Sequence, residues 1–220
     1  MKRVVLSLIL IASLMITSCS ASSGATASEA SETTTVVTTT TEETTTTEAT
    51  TTQPKQAVCS LTDLCDLMAS ALKKDLDESC AFLEDALGTS FTFTRTDRHD
   101  PDGDIYIVTK YTSYFECDIV ADGYHIETIY LDYGEDKLVD LICFTYLNPN
   151  SAELKNSFEY FKAVLSSSFG APNLEFDDPD YDMSDAYYGP INGIKYLLFY
   201  SYFGEDHPNT GLFLSVYYEI

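Results

Sequence analysis

Hydrophobic positions recur every three or four residues over three stretches of the chain and every second residue over most of the remainder. In "SLTDLCDLMASALKK", Leu61, Leu64, Cys65, Met68 and Leu72 share one helical face, and Ser60 with Asp63 has the spacing of a capping box. In "DESCAFLEDALG", Phe82, Leu83, Ala86 and Leu87 form the buried side of a second helix that stops at Gly88. The period then drops to two: "FTFTRTD", "DIYIVTKYTSYFECDIV", "YHIETIYLDYG" and "KLVDLICFTYL" read as strands, with turns at Asp122-Gly123 and Gly134 to Lys137. A third helix follows in "SAELKNSFEYFKAVLSSSFG", where Leu154, Phe158, Phe161, Leu165 and Phe169 make one stripe, Asn150 and Glu153 cap the start, and Gly170 with Pro172 ends it. "GIKYLLFYSYF" and "TGLFLSVYYEI" return to strands, the first entered through a tight turn at Asn192-Gly193. Helices segregated to one face of an antiparallel sheet are the packing this order favours, so the expected class is α+β.

The first residues follow a different pattern. Lys2 and Arg3 precede an apolar run from Val4 to Ile16, broken only by Ser7 and Ser13. This is the n-region and h-region of a secretory signal, shorter than the roughly 20 apolar residues a spanning helix needs. Ile16, Thr17, Ser18 and Cys19 then resemble the bacterial lipobox, in which an aliphatic residue and two small ones precede a cysteine. That resemblance implies a signal peptide over 1–18, a diacylglyceryl group on the thiol of Cys19, and a mature protein tethered by lipid to the extracytoplasmic face of the cell membrane. Thr17 and Ser18 depart from the commoner Ala and Gly of that motif.

Past Cys19 the chain is almost entirely Thr, Glu, Ala and Ser up to residue 57. Such a tract has too little apolar surface to offset its ordering entropy, so residues 19–57 are expected to be a lipidated cysteine followed by a disordered stalk. Its 38 residues from Ser20 to Ala57 span about 35 Å as a coil and about 125 Å fully stretched. Its hydroxyls suit O-linked sugars.

Residues 58–220 are of ordinary size for one domain and contain all 16 tyrosines and all 12 phenylalanines. With 30 acidic and 9 basic residues, this part carries most of the net charge of −23. Such a surface repels phosphate backbones, which excludes nucleic acid as a partner class and leaves cationic peptides, basic proteins and metal ions. A meander, one long helix and a further meander are broadly similar to the β-lactamase-inhibitor-like and PepSY-like domains of bacterial lipoproteins. That resemblance implies binding rather than catalysis.

Five cysteines remain: Cys59, Cys65, Cys80, Cys117 and Cys143. The odd number leaves at least one thiol free or paired with another chain, and no C-x-x-C occurs. Cys65 and Cys143 sit in apolar patterns as small core residues, while Cys59 and Cys80 flank the helical region and are the expected disulfide. The three histidines fall in separate segments, and no hydrolase, phosphate-loop or dinucleotide motif appears. His125 and Glu127 alternate onto one strand face as an exposed pair.

Two acidic segments offer hard oxygen ligands. "DRHDPDGD" contains Asp97, Asp100, Asp102 and Asp104, and "DDPDYDMSD" contains Asp177, Asp178, Asp180, Asp182 and Asp185. Closely spaced aspartates in a turn suit calcium, although the register of an EF-hand fails, with Arg98 and Thr109 where carboxylates belong. Tyrosine clusters supply the other surface: Tyr187, Tyr188, Tyr200, Tyr202, Tyr217 and Tyr218 either complete the core or present rings and hydroxyls to a protein, peptide or cell-wall glycan. The absence of Trp counts against a sugar platform. The function expected is a lipid-anchored binding protein without catalytic activity. The alternatives are a cell-surface hydrolase using clustered aspartates and a calcium-stabilised binding module. A carboxyl group with a raised pKa in a cleft favours the hydrolase.

Overall fold

A computed structural model describes residues 56–101, 108–178, 180–204, 207 and 210–218. Cys19, nearly all of the Thr-rich tract, Asp102 and Asp104 lie outside the described residues. Nine strands and three helices are found among those described: β1 (Ala57–Cys59), α1 (Leu61–Ala71), α2 (Leu76–Leu87), β2 (Thr92–His99), β3 (Lys110–Ala121), β4 (Tyr124–Tyr133), β5 (Val139–Tyr146), α3 (Ser151–Phe169), β6 (Leu174–Asp178), β7 (Met183–Ile191), β8 (Ile194–Ser201) and β9 (Gly211–Tyr218). No described helix is long and apolar enough to cross a membrane.

The helices begin where local chemistry starts them. The side chains of Ser60, Asp75 and Asn150 accept the backbone N–H groups of Asp63, Glu78 and Glu153, satisfying donors that a helix N-terminus leaves open. Gly88, at φ 67°, ends α2, and its N–H donates to the Glu84 carbonyl. Along α3, Leu154, Phe158, Phe161 and Leu165 are buried, each contributing about 1.5–3 kcal/mol by removal from water, and Phe169 stacks on Tyr196 at 4.4 Å between ring centres. In α2 the expectation is corrected: Leu83 and Ser79 are buried, whereas Ala86 is exposed and Phe82 and Leu87 are only half-buried. This helix lies at the margin of the core and needs a narrower apolar stripe.

The strands form one sheet in the order β1-β3-β4-β5-β9-β8-β7-β6, with β2 also on β3. All neighbours are antiparallel except β1 and β3, so the domain is a mostly antiparallel α+β structure. Asp122 and Gly123 (φ 48° and 88°) close the β3–β4 hairpin, and Asn192 and Gly193 (φ 53° and 81°) the β7–β8 hairpin. Both are two-residue loops with positive φ at both central positions, the geometry whose twist matches the strands.

Three strands lie where the sequence pattern predicts none. Ala57 is buried and pairs with Ile119, so the domain starts within the last residues assigned to the stalk. The acidic segment around residue 180 is the β6–β7 hairpin rather than an irregular loop. Aspartate is depleted from strands in general, but an edge strand leaves its side chains in water and tolerates them.

Pleat alternation divides the strand side chains into two clusters. One contains Leu61, Leu64, Met68 and Leu83 of α1 and α2, the α3 stripe, and strand residues such as Ile129, Phe144, Tyr188, Leu198, Tyr200 and Leu214. The other consists of Tyr130, Cys143, Leu197, Phe199 and Phe213, with Tyr114, Leu141, Met183, Tyr187 and Tyr217 packed against it. No described helix residue belongs to the second cluster.

Candidate functional site

The second cluster is assembled by register. One row runs across seven strands as Tyr114, Tyr130, Cys143, Ser215, Leu197, Tyr187 and Leu174, each paired with the next. The adjacent row runs Thr128, Thr145, Phe213, Phe199, Asp185 and Phe176. Its central members are buried by one another, as the Phe199–Phe213 ring pair at 5.9 Å illustrates. Accessible apolar surface lies toward the β6 end, where Leu174 and Phe176 are 47% and 43% exposed.

Asp185 interrupts this apolar row. It is only 2% exposed, and its Oδ1 has no hydrogen-bond partner. Burial pushes its carboxyl up from the ordinary 3.8 to about 6, opposed in part by a hydrogen bond from the Phe176 backbone. An ionised oxygen without a donor among phenyl rings is costly to the folded state, and such costs concentrate at sites of function. The neighbouring Tyr187 hydroxyl is held well above its ordinary value by burial first and then by Asp185 and Tyr217.

At the opposite end of the same face, the Thr112 hydroxyl donates to Asp132 Oδ1 at 2.6 Å. With that proton committed, Thr112 Oγ1 accepts from His99 Nε2 at 3.0 Å. Burial pushes the Asp132 carboxyl up to about 7; Thr112 and Lys110 oppose the shift and Asp140 adds to it. Lys110 and Asp140 form a direct ion pair beside Asp132, on the wall of a cleft of about 260 Å³ that Lys73, Glu135 and Asp136 also line. Arg95 lies 3.9 Å from the Tyr114 ring centre, closing this end.

The aspartates singled out by sequence are dispersed. Asp100 pairs with Arg98 at 2.6 Å in solvent. Asp177 and Asp178 are consecutive on β6 and therefore project to opposite faces: Asp177 accepts from Ser184 Oγ, and Asp178 accepts from the Asp180 backbone. Asp182 accepts from Ser151 Oγ at 2.7 Å. Asp180 is exposed in the turn. Among the described residues no group of three His, Cys, Asp or Glu side chains is arranged to hold a metal ion.

The six tyrosines are likewise divided by the pleat. Tyr188 and Tyr200 are 1% and 0% exposed in the helix-side cluster, which corrects their assignment to a contact surface. The Tyr188 hydroxyl donates to the Lys162 carbonyl, and the Tyr200 hydroxyl meets Ser151. Tyr202 and Tyr218 pack at the margin of that same cluster, Tyr218 beneath the Lys73 ammonium. Only Tyr187 and Tyr217 belong to the second cluster, joined there by Tyr114 and Tyr130, which the sequence pattern does not distinguish from other strand tyrosines.

All five described cysteines are free, so the expected Cys59–Cys80 disulfide is corrected. Burial pushes the thiols of Cys59, Cys80, Cys117 and Cys143 up to between about 11 and 12, which leaves them poor nucleophiles at neutral pH. His125 sits between two carboxylates, 2.8 Å from Asp118 and 3.4 Å from Glu127, as an exposed surface pair.

No protein-family model matches this chain, and neither the curated proteins nor the solved structures include a significant match to it.

Proposed function

We propose that this chain is a lipid-anchored, extracytoplasmic binding protein whose three helices cover one sheet face and whose other face receives a partner. The lipobox-like residues ending at Cys19 support the anchor, and the Thr-rich tract supports a stalk that holds the domain away from the lipid. The observation that carries the reading is the second cluster, two cross-strand rows rich in Tyr and Phe without a described helix residue, accessible at Leu174 and Phe176 and containing one buried carboxylate with an unpartnered oxygen. Exposed apolar side chains at the β6 end of this face, framed by acidic residues, suit a partner site, and the surrounding charge favours a cationic protein or peptide. The test is amide and methyl NMR of the full chain titrated with cationic, acidic and neutral peptides and with a cell-wall glycan fragment. Perturbations centred on Leu174, Tyr187, Leu197 and Tyr217 support the reading. Perturbations confined to the helix side, or none with any ligand, refute it.

A second reading, hydrolysis at the cell surface, draws on Asp132. A carboxyl held near 7 beside an ion pair and a cleft has the character of a general acid. The binding reading is preferred because Lys110 already neutralises Asp140 and the Thr112 hydroxyl is committed to Asp132 itself. Turnover of a glycan or peptide substrate that disappears in Asp132→Asn would reverse this preference.

A further inference from the structure

β6 ends the sheet, and among the described residues its outer edge pairs with no strand. Outward-facing backbone N–H and C=O groups on such an edge are a template for one more strand. Glu175, Asp177 and Asp178 put three carboxylates into the five residues of β6, and Asp180 and Asp182 follow in the turn. Lys162 of α3 reaches these carboxylates, 2.8 Å from Glu175. Charged residues on an edge discourage pairing with copies of the same chain and leave the edge open to a strand of opposite sign. An independent feature lies at the same place: Asp185, the cross-strand neighbour of Phe176 on β7, is buried with its Oδ1 unpartnered, although its carboxylate also accepts from the Phe176 backbone.

Resting on the binding-face reading above, we infer that the ligand is an extended peptide segment bearing Lys or Arg, which adds to the sheet as a strand beside β6 and delivers one cationic side chain across Phe176 to the Asp185 carboxylate. The spacing allows it. Two strand separations, about 9.5 Å, lie between the added backbone and that of β7, a span that a Lys or Arg side chain reaching inward and Asp185 reaching outward can cover together. On the way the cation crosses the half-exposed Phe176 ring, whose face attracts it. Alternate side chains of the same segment fall on the other face, beside Glu175 and Asp177. Main-chain pairing supplies the affinity and the two rows of carboxylates select for basic residues, as in other strand-addition complexes.

The probe is a blocked octapeptide of alternating Lys and Val, titrated onto the full chain by fluorescence anisotropy and mapped by amide hydrogen exchange. Binding is expected to slow exchange over residues 174–178. It is expected to weaken at least tenfold in Asp185→Asn and at least tenfold for a probe methylated at every backbone amide, and a Glu–Val octapeptide is expected not to bind. The methylated probe leaves the protein unaltered, so its result stands whatever the variant does. Tight binding that both changes leave intact, or protection that falls over Tyr130 and Phe213 instead of β6, overturns strand addition while leaving the face as a binding surface. Failure of the Lys–Val probe to bind also overturns it, and binding of a different ligand class to Tyr187 and Tyr217 would then keep the broader reading. If no ligand class perturbs that face, both readings fail together.

Discussion

Replacing Asp185 by Asn removes the charge from the aromatic row while preserving shape, and the structure predicts that the protein becomes more stable. The carboxyl titrates at about 6 in the folded state against an ordinary 3.8, a difference worth about 3 kcal/mol of destabilisation when both states are ionised. The Asn amide keeps one or more buried polar atoms without a partner, which costs about 1–2 kcal/mol. The net gain at pH 7.5 is therefore about 1–2 kcal/mol, or roughly 3–6 °C in Tm for a domain of this size. The sign with pH follows from the raised value. Below about 3.8 the group is protonated in both states and destabilises nothing; the penalty grows as pH rises from there and is complete above about 6. Urea denaturation of both proteins between pH 3.5 and 8 isolates this one group, because contributions from distant carboxylates cancel in the difference. A gap that opens between pH 4 and 6.5 and then stays constant is expected. A variant less stable at every pH, or a gap independent of pH, would refute the claim that burial of the Asp185 charge is only partly compensated.

Further outcomes follow from the same structure. Phe161→Ala empties a fully buried site under α3 that contacts Tyr124 and Phe144, and equilibrium unfolding should register a loss of about 3–5 kcal/mol. Gly189 sits at φ 96° with space for a Cβ only 2.7 Å from the Ile194 carbonyl oxygen, so Gly189→Ala should lower stability by about 2 kcal/mol or more in the same assay. With Cys19 lipidated as proposed, thiol titration of the unfolded protein purified from membranes should count five reactive cysteines, with no change in Tm under reducing conditions. A sixth reactive thiol would show that Cys19 carries no thioether-linked lipid.

Much of the architecture is legible in the residues themselves. Helix caps are local, so Ser60 and Asn150 mark their starts without knowledge of the fold. Asp122-Gly123 and Asn192-Gly193 announce their hairpins because few other pairs adopt positive φ twice. The β6–β7 hairpin escapes because its aspartates have the composition of a turn, and only their position at the edge of the sheet makes a strand affordable. The site is harder to read for a related reason. Asp177 and Asp185 belong to one acidic run, yet one is exposed and bonded to a serine while the other is buried with one carboxylate oxygen unpartnered, a distinction set by their place in the sheet. Tyr187 and Tyr188 are adjacent and reach opposite faces, so residue type is uninformative until register is known. Asp132 likewise resembles any strand aspartate until Thr112 and the Lys110–Asp140 pair are placed beside it.

The most direct measurement is hydroxyl-radical footprinting of the protein on intact cells and again after purification. The account predicts that Leu174, Phe176, Tyr181, Met183 and Tyr187 react in the purified protein and are shielded on the cell, where a partner lies against β6 and its face. Leu138 and Tyr160, exposed elsewhere, should react equally in both, and Tyr188 and Tyr200 in neither. Equal reactivity of the β6 residues in both settings, or shielding centred on Tyr160, would contradict the account.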